Sequence, residues 1–157
     1  MNIEDIKPLL TSYLYTGEDK YIKPVKIVSY KSLDVYPLLK KLVLDIKPKC
    51  CYANAYWVST TLPDIEYVEG DAVGLIPVMH AWNCYKGQYF DMTWELHSTI
   101  KGPYFEVVKG TISDLIVQDY KFNTVTDLYT QWLNKLKPSN KSSIYNKLKS
   151  LDYDRTN

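Results

Sequence analysis

The stretch PVMHAWNCYKGQYFDMTW, residues 77–94, constrains the fold more than any other, because two β-rich runs flank a single Lys86-Gly87 turn. Glycine accepts the positive φ that a two-residue hairpin loop demands, and aromatic and β-branched residues suit the pleated surfaces on either side. Such a loop pairs Tyr85 with Gln88, Asn83 with Phe90, Trp82 with Asp91 and His80 with Thr93. Side chains two apart share a face, so His80, Trp82, Cys84, Tyr89, Asp91 and Thr93 are expected on one side. Asp91 becomes a diagonal neighbour of His80, at a backbone separation of about 7–8 Å that two polar side chains can bridge. A four-residue loop keeps this register, whereas a three-residue loop sends Asp91 to the opposite face.

A carboxylate that accepts the Nδ1 proton of His80 fixes the tautomer and leaves Nε2 to take a proton from a nucleophile. The candidate nucleophile lies in KPKCCYANA, residues 47–55. The Ala, Tyr, Trp and Val content of residues 50–62, with Pro63 just beyond, predicts a buried helix. A cysteine in its first turn meets unpaired backbone N–H groups and the positive end of the helix dipole, which stabilise a thiolate, and Lys49 adds to that field. Cys50 and Cys51 compete for the role. Consecutive helical side chains diverge by about 100°, so only one can face the His80 strand. The result is a thiolate–imidazolium pair oriented by Asp91, with the nucleophile's own N–H as one oxyanion donor.

Elsewhere the reading is coarser. Ile3, Ile6, Leu9, Leu10 and Leu14 form a helical stripe over residues 3–15, which Pro8 shortens or kinks. A second helix is predicted over residues 33–46, begun either by Ser32 as N-cap or at Pro37. Residues 21–30 between them form an edge strand or an ordered loop. Residues 65–94 predict three antiparallel strands, broken at Gly70, Gly74, Pro77 and Gly87, and residues 104–108 add another. Helices follow at residues 113–118, 126–136 and 142–148, before a frayed polar tail. The fold class is therefore α+β, a single domain over residues 1–157, with a Cys-bearing helix packed on a small antiparallel sheet.

Charge and composition exclude several functions. The nineteen Lys and Arg are scattered and the net charge is +1, so no phosphate-tracking stripe supports nucleic acid binding. No run nears the roughly 20 apolar residues of a membrane span, and MNIEDIKPLL lacks a secretory signal. A cytoplasmic protein is expected, with its three cysteines kept as thiols. The abundance of Lys, Tyr, Asn and Ile suggests an AT-rich coding sequence, as in a bacterium or its phage.

Cys51 followed by Ala55, then YVEG, HAW and FDMTW, resembles the core of the transglutaminase-like superfamily within the papain-like fold. The matched region spans about residues 51–94, within a core of about 48–110. The pattern is also similar to small phage-encoded proteins. The resemblance implies Cys51 as nucleophile, His80 as general base and then acid, and Asp91 as the orienting carboxylate. It favours Cys51 over Cys50 because Ala55 then falls at the family's small-residue position. It also implies that Trp82 flanks the cleft. The chain departs from the family at Lys49, where glycine is common, and at Met92, where proline is common.

The implied activity is thiol-dependent acyl transfer on a peptide, protein or small amide, either hydrolysis or transfer to an amine, with hydrolysis the simpler outcome. No cofactor is required. Asn54, one turn after Cys51, is either buried and hydrogen-bonded or helps shape the site. In YVEG, Tyr67 and Glu69 share one face, which makes Glu69 a candidate to approach substrate, exposure being its alternative. Gly70 reads as a turn or bulge. A Cys84–His80 metal site is the less favoured reading, since no C-x-x-C spacing accompanies it. His97 has no partner readable in the sequence. The rival functions are a non-catalytic binder that retains the fold and an interaction module built on the fifteen tyrosines and four tryptophans.

Overall fold

The computed structural model describes residues 2–122 and 127–136. The expected helix at residues 142–148 and the polar tail lie outside them. The chain is α+β, and among the described residues it has seven α-helices and five strands.

The N-terminal stripe does not form one helix. α1 (Ile3–Ile6) gives way to a 3-10 turn at Lys7–Leu9, and α2 (Thr11–Thr16) restarts beyond it. Pro8 removes a backbone donor and breaks the i to i+4 ladder, so the helical phase resets. Ile6 and Leu10 are buried as a result, while Leu9 and Leu14 face solvent.

After β1 (Pro24–Val25), the next helix begins at α3 (Tyr36–Leu39), with Pro37 in its first turn, and tightens into a 3-10 segment at Lys40–Asp45. Ser32 ends a separate 3-10 turn and does not cap this helix. Proline's fixed φ favours the first turn, which is why Pro37 rather than Ser32 marks the start.

α4 (Cys51–Thr61) follows, then β2 (Glu66–Val73), β3 (Pro77–Tyr85) and β4 (Gln88–Phe90). α5 (Met92–His97), β5 (Tyr104–Gly110), α6 (Ile112–Val117) and α7 (Leu128–Lys135) complete the described chain. The β3–β4 register is the expected one: Tyr85 opposes Gln88, Cys84 opposes Tyr89 and Asn83 opposes Phe90. Lys86 and Gly87, at φ 49° and 79°, both adopt the left-handed backbone that such a tight turn requires.

The sheet is antiparallel throughout, in the order β1-β5-β2-β3-β4. An isolated bridge from Ile27 to Tyr89, with the Val28 N–H donating to the Tyr89 carbonyl at 2.8 Å, brings the two edges together and nearly closes a barrel. Val68, Ala72, Trp82, Cys84 and Tyr104 cluster inside the curl. Outside it, Ala55 of α4 packs with Tyr67, Ala81, Val108, Leu115 and Leu128. A bulge interrupts the β2–β5 ladder at Glu69/Gly70. A Cβ on Gly70 would stand 1.9 Å from the Phe105 carbonyl oxygen, so the strands can approach this closely only with glycine there.

Candidate functional site

Cys51 is the first residue of α4, half-buried, and Cys50 is the exposed N-cap. The turn into the helix is forced by Lys49, at φ 61°. Asn54 holds that turn in place. Its Oδ1 accepts from the Lys47 N–H at 3.0 Å, and its Nδ2 donates to the Lys47 carbonyl at 2.7 Å and to Thr93 Oγ1 at 3.0 Å. Asn54 is thus buried and hydrogen-bonded, bracing the approach to Cys51 against α5, with both N–H donors of its amide used within the protein. Asn83 ties α4 to the sheet in the same way, donating to the Ala55 carbonyl, Ser59 Oγ and the Glu66 carbonyl.

His80 sits on β3 opposite Gly70. Its Nε2 lies 2.8 Å from Asp91 Oδ2, and the two side chains are 3% and 2% exposed. The expected pair therefore meets, but through the other ring nitrogen. The chain leaves the sheet after Phe90, and Asp91 is the N-cap of α5 rather than a strand residue, its Oδ1 accepting from the Trp94 N–H at 3.1 Å. Approaching from the helix end, the carboxylate meets Nε2. Nδ1 is the nitrogen left for a nucleophile.

From the start of α4, the Cys51 side chain also acts on the His80 ring. Burial disfavours the imidazolium, but the hydrogen bonds and charges of Asp91 and Cys51 outweigh it and raise the His80 pKa to about 9. At neutral pH the ring is therefore cationic.

Trp94 supplies the stacked wall of the site, its ring 4.1 Å from the His80 ring at 28°. Trp82 does not flank an open cleft: it is 1% exposed, inside the curl of the sheet, and its Nε1 has no hydrogen-bond partner among the described residues. Period-two alternation carries it inward with Cys84. Tyr104, which sequence reasoning missed, donates its hydroxyl to Asp91 Oδ2 at 2.6 Å. It lies thirteen residues from Asp91, on a strand whose pairing the sequence does not announce.

Glu69 is not brought to this group. It is 1% exposed, and its carboxylate accepts from Tyr67 Oη at 2.5 Å and from the Leu128 and Tyr129 N–H groups at 3.0 Å each, capping α7. Burial raises its pKa to about 7 even though those three bonds favour the ionised form. Its side chain shares the outer face with Tyr67, as alternation requires, while His80 faces inward. Cys84 is buried inside the curl, and among the described residues no group of three or more His, Cys, Asp or Glu is placed to hold a metal. His97, at the end of α5, donates from Nε2 to the Ile46 carbonyl at 2.8 Å. No helix among the described residues is long and apolar enough to cross a membrane.

No protein-family model, curated protein or solved structure matches the chain. What defines it is an α+β fold with a buried His80–Asp91 pair and a cysteine at the start of α4.

Proposed function

We propose that the chain is a thiol-dependent acyl-transfer enzyme of transglutaminase-like, papain-like character, with Cys51 as nucleophile, His80 as general acid and base, and Asp91 as the orienting carboxylate. The observation that carries this reading is the buried His80–Asp91 pair, with the helix-start Cys51 acting on the same imidazole. The Cys51 thiolate attacks the acyl carbon of an amide. The carbonyl oxygen takes up the negative charge, and the Cys51 N–H at the α4 terminus is the donor proposed to receive it. As the C–N bond breaks, His80 gives its Nδ1 proton to the leaving amine and a thioester remains. Water or an amine then attacks the thioester while the neutral His80 takes the incoming proton, and the thiolate leaves. Proton transfer of this kind contributes on the order of 10² to 10⁴-fold in rate.

Peptides, proteins or small amides are the substrates of this reading. A reducing bacterial or phage-infected cytoplasm suits an unpaired nucleophilic thiol. The test is a panel of activated acyl esters and amides assayed with the intact protein. An acyl group trapped on Cys51, found by peptide mass spectrometry and lost in Cys51→Ser, supports the reading. No acyl adduct on any cysteine, with the protein folded, contradicts it.

A further inference from the structure

The Asp91 carboxylate is met by three donors. Oδ1 accepts from the Trp94 N–H at 3.1 Å, while Oδ2 accepts both His80 Nε2 at 2.8 Å and the Tyr104 hydroxyl at 2.6 Å. Tyr104 is 3% exposed and rigidly packed. Its ring meets Trp82 edge-on at 5.1 Å and lies 5.7 Å from Trp94. Gly102 makes room for it, because a Cβ at that position would stand 2.6 Å from Tyr104 Cδ2. The phenol is thus held against the one oxygen that also binds the imidazole. An oxygen that serves two donors gives each a weaker bond than it would give one alone.

We propose that Tyr104 is a positioning residue of the His80–Asp91 pair: its hydroxyl pins the carboxylate and draws on the Oδ2 charge, so that His80 grips its proton less tightly than Asp91 alone would dictate. The titratable groups that act on this pair are Cys51 from α4 and Tyr104 from β5, with the Glu95 charge of α5 acting on Tyr104. Burial, and then the Asp91 and Glu95 charges, keep the phenol protonated far above neutral pH, so it remains a donor wherever the pair works. The catalytic consequence rests on the thiol-enzyme reading. An imidazolium that grips its proton too tightly is a poor acid toward the leaving amine, and the phenol moderates it.

The chain has two histidines, so NMR titration of His80 is assigned by comparison with a His97→Asn variant. In Tyr104→Phe the His80 pKa is expected to rise by about half a unit to one unit, because Oδ2 then serves the imidazole alone. The upper limb of the pH profile for iodoacetamide alkylation of Cys51 should move by the same amount. An unchanged or lowered His80 pKa overturns the proposal. Should Tyr104→Phe fail to fold, 3-fluorotyrosine placed at position 104, a stronger donor, must lower the His80 pKa, and an unchanged or raised value overturns it equally. The two readings fail separately: a wild-type Cys51 that alkylates like a free thiol removes the enzyme, while the NMR titration still decides the role of Tyr104.

Discussion

His80 Nε2 and Asp91 Oδ2 lie 2.8 Å apart with almost no solvent access to either side chain. A buried pair of this kind is costly to break from one side, because the remaining partner is left without compensation. Asp91→Ala should therefore destabilise the protein by about 3–5 kcal/mol in urea unfolding. It also loses the α5 cap, worth about 0.5–2 kcal/mol. Asp91→Asn keeps the cap and should be the milder of the two. Equal losses for the two variants would mean that the cap adds nothing to the loss of the charge.

The same pair sets a pH dependence. The His80 pKa is raised from 6.5 to about 9 in the fold, so its stabilising contribution is complete below about 6.5 and disappears as pH rises through about 9. The stability gap between wild type and Asp91→Asn should be full near pH 6.5 and close as pH rises through about 9. Urea midpoints measured across it check this, and a gap that stays constant contradicts it.

Glu69 gives a second window on the opposite face of the sheet. Its folded pKa is raised from 4.5 to about 7, mainly by burial. A carboxyl that holds its proton more tightly when folded contributes stability below about 4.5 and loses it as pH rises through about 7. The margin of wild type over Glu69→Gln should accordingly narrow between those values in thermal or urea unfolding. A margin that widens would mean that the α7 cap, and not burial, dominates.

Much of this was legible in the sequence, for local reasons. The Lys86-Gly87 turn fixes the β3–β4 register by chain geometry, and alternation then carries His80, Trp82 and Cys84 to one face. The helix that starts at Cys51 follows from Pro48, Pro63 and the residues between them. What escaped depends on contacts far apart in sequence. Glu69 is satisfied by N–H groups 59 and 60 residues away, and Tyr104 reaches Asp91 from another strand. Met92 to Trp94 read as a continuing strand because threonine and tryptophan favour sheets. The capping signal of Asp91 was present and outweighed that propensity.

Gly70→Ala tests the packing behind His80. The added methyl would meet backbone, the Phe105 carbonyl at 1.9 Å, which cannot rotate away. A loss of about 3 kcal/mol or more is expected, at the upper end for overpacking. Gly17→Ala is the control. Unlike Gly70 it carries a positive φ, but nothing lies within 4 Å of its Cβ, so a loss of about 1 kcal/mol is expected. Comparable losses at the two positions would contradict the close approach of β2 and β5.

The central proposal is that Cys51 is a nucleophile served by His80, and its most direct measurement is the rate of Cys51 alkylation by iodoacetamide at about pH 6 in a Cys50→Ser background. A free thiol is ionised only to a fraction of a per cent at that pH, so the pair should make Cys51 react on the order of 10²-fold faster than a small-molecule thiol, and His80→Ala should abolish that advantage. A Cys51 that reacts no faster than a free thiol, and does not respond to His80→Ala, would contradict it.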